Sequence, residues 1–278
     1  MDSAAGCAIH TLPEGNAVWG VASLDNQLYV LRDKTSHQIT VYDTDFYRLQ
    51  RRLNVPGLNS MHDMTVCAHN YCLYISDCDD DNRYIHRASL SCDAVTKWPV
   101  YDKPACLSVT DTHSVLVTCD VVSKVKEFTT HGKLLREIKL TYVLVSPQHA
   151  IQLPSGQLVV SHGYADDPVH SVCLVDSDGQ VFHSYGGPMD SGSEQMDTPT
   201  HLAVDNHGFV FVVDLKNERV LLLSPTLTYV REVASPDQLS NWGPMRLFLD
   251  NDRRRLYVAD TRWDGDEHTA GRVVVISV

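Results

Sequence analysis

Trp19, His62, Cys106, His149, His201 and Arg246 occupy corresponding positions in six successive stretches of the chain. Imidazoles converging on one point from such positions could ligate a metal ion, which would make the chain a metal-dependent lyase or hydrolase. The three histidines fall in copies two, four and five, so they are not placed symmetrically. The expectation is therefore hydrogen-bonded structural histidines, with no metal, no cofactor and no catalytic residue.

The corresponding positions are 43, 44, 43, 52 and 45 residues apart, and the one long step contains the Gly- and Ser-rich stretch 186–198. A period of this size, with several short strands per copy, predicts a β-propeller. In copy five the strands are expected over His201–Val204, Phe209–Val213, Arg219–Leu223 and Tyr229–Val233. In copy one they are expected over Val18–Ala22, Leu28–Leu31, Ile39–Tyr42 and Tyr47–Leu53. Turn residues such as Asp25-Asn26, Asp178-Gly179 and Asn251-Asp252 separate them. The second strands are apolar throughout, as in Leu158-Val159-Val160, which suits a strand covered on both faces. No segment keeps a helical period.

The prediction is an all-β, six-bladed propeller of four-stranded antiparallel blades over residues 1–278, one domain. Blades begin near residues 17, 60, 104, 147, 199 and 244. Copy six has only three strands, so residues 6–10 are expected to pair beside Val273–Ile276 and close the ring.

The formal charge of -12, from 23 basic and 35 acidic residues, disfavours non-specific phosphate binding. Arg51-Arg52 and Arg253-Arg254-Arg255 read as solvated strand edges. The eight cysteines have no metal spacing and read as reduced, buried thiols of a cytoplasmic protein. No apolar run suits a membrane. Asp77-Cys-Asp-Asp-Asp-Asn82 could offer oxygen ligands to calcium but lacks an EF-hand pattern, and is expected to be a solvated acidic loop.

Tyr185-Gly186-Gly187 leading to Pro199-Thr-His-Leu-Ala-Val-Asp205, and then Asp214…Asn217-Glu-Arg219-Val220, resembles the NHL repeat and its D-x-x-N-x-R-V element. The nearest likeness is to the C-terminal NHL propellers of tripartite-motif (TRIM-NHL) proteins. The resemblance implies a non-catalytic scaffold that recruits a protein or peptide, or alternatively binds an RNA stem-loop. Any ubiquitin-ligase activity would lie in modules absent from this sequence.

A partner would meet the face carrying the loops between second and third strands and between blades. Trp242, Trp263 and Tyr164 are the expected anchors there, with Arg32, Arg83, Lys216, Arg246 and Arg262 as basic contacts. The alternative for the tryptophans is that they fold back over their own loops. Trp19, His62, His149 and His201 are expected at the channel mouth.

Overall fold

The computed structural model describes residues 7–13, 15–32, 38–79, 82–92, 94–141, 143–188, 195–239, 242–264 and 267–278. Alternating apolar residues between Asn-, Asp- and Gly-containing turns fold into six four-stranded antiparallel sheets arranged as blades. Blade 1 comprises β2 (Val18–Leu24), β3 (Gln27–Arg32), β4 (Gln38–Asp43) and β5 (Leu49–Asn54). Blade 2 comprises β6 (Met61–Cys67), β7 (Cys72–Asp79), β8 (Asn82–Ser89) and β9 (Val95–Pro99). Blade 3 comprises β10 (Leu107–Val109), β11 (Val115–Cys119), β12 (Lys124–Phe128) and β13 (Leu134–Lys139). Blade 4 comprises β14 (Pro147–Gln152), β15 (Leu158–His162), β16 (Val169–Val175) and β17 (Val181–Pro188). Blade 5 comprises β18 (Pro199–Val204), β19 (Val210–Asp214), β20 (Arg219–Leu223) and β21 (Tyr229–Ala234).

Blade 6 draws on both ends of the chain. Its order is β22 (Gly243–Asp250), β23 (Arg255–Asp264), β24 (Glu267–Ser277) and β1 (Cys7–Thr11). Ala8 pairs with Ile276 and Thr11 with Val274, so the expected clasp closes the ring. The described residues contain no helix long and apolar enough to cross a membrane.

The core is divided by the blades. The described residues form a separate buried apolar cluster between each pair of neighbouring blades, including blades 6 and 1. Strand β19 shows how the sequence produces this. Val210 and Val212 pack toward blade 4, while Phe211 and Val213 pack toward blade 6. Successive side chains point to opposite faces, and both faces are covered, so every position from Val210 to Val213 is apolar.

The D-x-x-N-x-R element of copy five is a structural staple. Asp214 accepts the Asp197 N–H at 2.7 Å, Asn217 Nδ2–H at 2.9 Å and Arg219 Nε–H at 2.8 Å. Asn217 and Arg219 also donate to the Gln195 carbonyl, which ties the blade-to-blade connection to the second and third strands. Blade 6 repeats the device with Asp260, Arg272 and the Leu239 carbonyl. Asp77 does the same work in blade 2. It is buried, accepts the Asn59 and Ser60 N–H groups, and faces His86 at 3.4 Å, so it is no solvated calcium ligand. Residues 80 and 81 of that acidic run lie outside the described residues.

A candidate acid–base site in the channel

The inner strands carry a bulge that decides which residues reach the channel. The pairing register shifts between Val18 and Gly20, Met61 and Asp63, Pro147 and His149, and Pro244 and Arg246. Each bulge adds one residue ahead of the position aimed at the next blade. Trp19 and His62 occupy this extra position. The ring of equivalent positions is therefore Gly20, Asp63, Cys106, His149, His201 and Arg246. The spacing becomes 43, 43, 43, 52 and 45 residues.

This ring makes one kind of contact repeatedly. Asp63 Oδ2 accepts the Leu107 N–H of blade 3 at 2.7 Å. His149 Nδ1 accepts the Leu202 N–H of blade 5 at 3.0 Å, and His201 Nδ1 accepts the Leu247 N–H of blade 6 at 3.3 Å. Arg246 is a donor and reverses the polarity, giving Nη2–H to the His62 carbonyl at 2.9 Å. Gly20 has no side chain to offer. A Cβ there would lie 2.8 Å from Met64 Cβ and 3.0 Å from Met64 N. Asp63, His149 and His201 thus accept from the inner strand of the following blade, whereas Arg246 reaches past blade 1 to blade 2.

The bonds fix the proton positions. A backbone N–H can only donate, so Nδ1 of both histidines carries a lone pair and each neutral ring holds its proton on Nε2. His149 donates that proton to the Leu107 carbonyl at 3.1 Å, and both its nitrogens are satisfied. His201 aims Nε2–H at Asp63 Oδ2, 3.5 Å away, while Arg246 Nε stands 3.4 Å from Asp63 Oδ1. Asp63 Oδ1, His201 Nε2 and Arg246 Nε are buried without a hydrogen-bond partner. Asp63, His149, His201 and Arg246 are at most 5 % exposed.

Burial works against charge on Asp63, but His201, Arg246 and His149 overcome it and hold the carboxyl well below its ordinary range. Burial lowers both histidines, and the neighbouring His201 lowers His149 further. The ring is thus an ionised carboxylate and a guanidinium beside two neutral imidazoles. Burial pushes the Cys106 thiol far up, which keeps it protonated and a poor nucleophile.

Asp63, Cys106 and His201 bring one potential metal-ligand atom each to within 4.8 Å of one another. They fit a cation in number but not in protonation. His201 Nε2 offers no lone pair while Nδ1 accepts the Leu247 N–H, and the Arg246 guanidinium already compensates Asp63. The three-imidazole arrangement does not form either. His62 lies at the bulge beside Trp19, with ring centroids 6.1 Å apart.

A cavity of about 180 Å³ adjoins the ring. His149 and His201 stand at its edge, and its walls come from all of β10 and the C-terminal halves of β6, β14, β18 and β22. It therefore lies on the opposite side of the ring from the loops that carry Trp242.

The surface residues expected to meet a partner are dispersed in role. Trp242 is half-buried, with the Arg272 guanidinium of β24 4.5 Å from its ring. Arg32 ties the closing segment through the Gly271 and Pro13 carbonyls. Arg83 donates to the Tyr101 carbonyl. Arg246 belongs to the ring rather than to the surface. Tyr164 is 46 % exposed, and Lys216 and Arg262 are exposed. The Trp263 side chain lies outside the described residues.

No known family profile matches the sequence, and no curated protein matches it either. Solved structures share its fold. The PQQ-bound aldose sugar dehydrogenase of Streptomyces coelicolor superposes with a TM-score of 0.67 at 15% identity, covering 97% of each chain. A catalytically inactive histidine-to-alanine form of virginiamycin B lyase from Staphylococcus aureus, with quinupristin, gives 0.66 at 10% identity, covering 96% of this chain and 99% of that one. The Cps50 (Swd1) β-propeller domain of Myceliophteria thermophila gives 0.58 at 10% identity, covering 94% and 82%.

The chain is a six-bladed β-propeller. The expectation of a non-catalytic scaffold that is not an enzyme is corrected by this comparison. Propellers matching nearly the whole chain include a dehydrogenase and lyases, so the architecture gives no ground for setting catalysis aside.

Proposed function

We propose that this chain is a catalytic propeller that performs metal-independent acid–base chemistry of the lyase or hydrolase kind in its channel. The observation that carries the reading is the convergence of Asp63 Oδ1, His201 Nε2 and Arg246 Nε, which are held in ion-pair contacts of 3.5 and 3.4 Å but make no hydrogen bond of normal geometry. Two are donors and one is an acceptor. A hydroxyl or water oxygen complements that set, because it accepts two hydrogen bonds and donates one. In this position Asp63, ionised but a weak base, takes the proton from the oxygen, and His201 and Arg246 offset that weakness by stabilising the negative charge that develops on the oxygen. His149 positions the site by bonding blades 3 and 5. The adjoining cavity is smaller than the roughly 300–1,000 Å³ that encloses a drug-sized ligand. The substrate is therefore small, or inserts only one end.

The NHL-like pattern of copy five supports a relationship to that wider group, and the buried free thiols support a reducing compartment such as the cytoplasm.

The test is a panel of lactones, esters and glycosides that includes quinupristin, followed by mass spectrometry with wild type, Asp63→Asn and His201→Gln. Turnover by folded wild type and its loss in both folded variants is the expected result. No turnover by wild type across the panel, or undiminished turnover in the variants, counts against the reading. Stoichiometric, chelator-sensitive metal in active protein would replace the metal-independent form with a metal-dependent one.

A further inference from the structure

The three consecutive arginines after the first turn of blade 6 separate in the fold. Arg253 bonds Asp250 at 3.3 Å and also reaches Asn26 of blade 1. Arg255 reaches the Thr44 carbonyl and bonds the Tyr47 hydroxyl at 3.1 Å. These two fasten blade 6 to blade 1. Arg254 lies between them with φ of 52°, in the left-handed region. It turns the other way, into the wall of a cleft between blades 5 and 6.

That cleft has a volume of about 510 Å³, within the range of small-molecule sites. Its blade 5 wall is a cross-strand row, Phe211, Leu222 and Arg231, set by the pairing of β19, β20 and β21. Phe209 and Leu249 extend the apolar floor. Among the described residues, Arg231 has a long contact of 3.5 Å to the Glu232 carbonyl. Asp205 also lines the cleft, with Oδ1 accepting the His207 and Phe209 N–H groups at 2.9 and 2.8 Å, so the two guanidinium groups there face one side-chain carboxylate.

We propose that this cleft binds an apolar carboxylate, such as a short fatty acid. The apolar tail lies on Phe209, Phe211, Leu222 and Leu249, and Arg231 and Arg254 hold the carboxylate. Guanidinium suits that head group because its planar fork pairs with two carboxylate oxygens. The tail alone would not select an acid over an alcohol, so the arginines set the specificity. This site is separate from the channel and does not depend on the acid–base reading.

The test is isothermal titration of the whole protein with octanoate, with octanol as the uncharged control. Octanoate should bind saturably and octanol more weakly. Arg254→Ala and Arg231→Ala should each lower octanoate affinity about tenfold, as expected for losing a charge-assisted hydrogen bond. Arg253→Ala, outside the cleft, should leave that affinity unchanged. Both cleft arginines are partly or fully exposed, so these variants test binding without emptying the core. Absence of octanoate binding, equal binding of octanol, or unchanged affinity in the Arg231→Ala, Arg254→Ala double variant would each overturn the proposal.

Discussion

The rings of His149 and His201 stack 3.9 Å apart at 25°, across the boundary between blades 4 and 5, in a space almost closed to water. A proton added to either ring would put a charge in a desolvated site against its neighbour. The pair remains neutral for that reason, and its Nδ1 lone pairs remain available to the inner strands of blades 5 and 6. A polar ring of this kind joins blades by hydrogen bonds where apolar packing would leave backbone N–H groups unpaired.

Acid should therefore weaken the fold. Unfolded histidines take up protons near pH 6.5. His149 and His201 do so only at lower pH, and burial together with His170 lowers His162 to about 4. Between those values the unfolded state binds more protons, so the histidine contribution is present above pH 6.5 and is lost as pH falls. For His162 the shift corresponds to roughly 3 kcal/mol. Asp260 opposes this, because burial pushes it up to about 7 despite Arg272, favouring the folded state at low pH. The effect is isolated by comparing wild type with His162→Asn in urea from about pH 8 to about pH 5. The variant should show the smaller acid loss. Parallel curves would refute the assignment.

Asp63 should be a point of high leverage for stability. Asp63→Ala leaves Arg246 buried without its anion and frees the Leu107 N–H, a loss of about 3–5 kcal/mol. Replacing Arg246 by Met in the same chain removes the stranded charge. The double variant should thus be less destabilised than the sum of the single changes, by roughly 0.5–3 kcal/mol. Additive urea-unfolding energies would show that the two groups are not coupled.

Gly20 should tolerate no side chain. An added Cβ would press on Met64 Cβ at 2.8 Å, inside the blade 1–blade 2 interface. Gly20→Ala should cost about 1–3 kcal/mol through overpacking. Gly156 gives a useful contrast, since nothing lies within 4 Å of a Cβ there and only its φ of +85° opposes substitution. Thermal melts should show a change in cooperativity or a larger loss for Gly20→Ala. A larger loss for Gly156→Ala would show that the ring is not tightly packed.

The ring of blades was legible because a fixed period and apolar second strands are local, repeated signals. Phe211 and Val213 facing blade 6, with Val210 and Val212 facing blade 4, follow from strand alternation alone. The site was harder to place. Repeat alignment put His62 beside His149 and His201 because the residue types match, whereas the inner-strand bulge advances Asp63 to that position. A bulge adds backbone length without a characteristic side chain, so the alignment carries no mark of it. Nor does sequence spacing show that an imidazole Nδ1 receives an N–H from the next blade. Trp242 was legible as an amphipathic loop residue, but the choice between an exposed anchor and a cap depends on Arg272, supplied by a distant strand.

The closing strand provides a test at the scale of the whole ring. Strand β1 supplies the fourth strand of blade 6, and the chain just beyond it buries Leu12 completely against blades 1 and 6. The Leu12 N–H bonds the Val273 carbonyl at 2.9 Å, and Gly15 and Gly271 exchange backbone bonds at 3.0 and 2.8 Å. Arg32 then bonds the Pro13 and Gly271 carbonyls from blade 1. Deleting residues 1–11 would expose the edge of β24, remove four register pairs and leave Leu12 poorly anchored. The shortened protein should melt at lower temperature, and exchange at the amides of β24 should become faster. Supplying residues 1–11 as a separate peptide should restore part of the lost melting temperature. An unchanged melting temperature in the shortened chain would show that the blade 6–blade 1 interface holds the ring without its clasp.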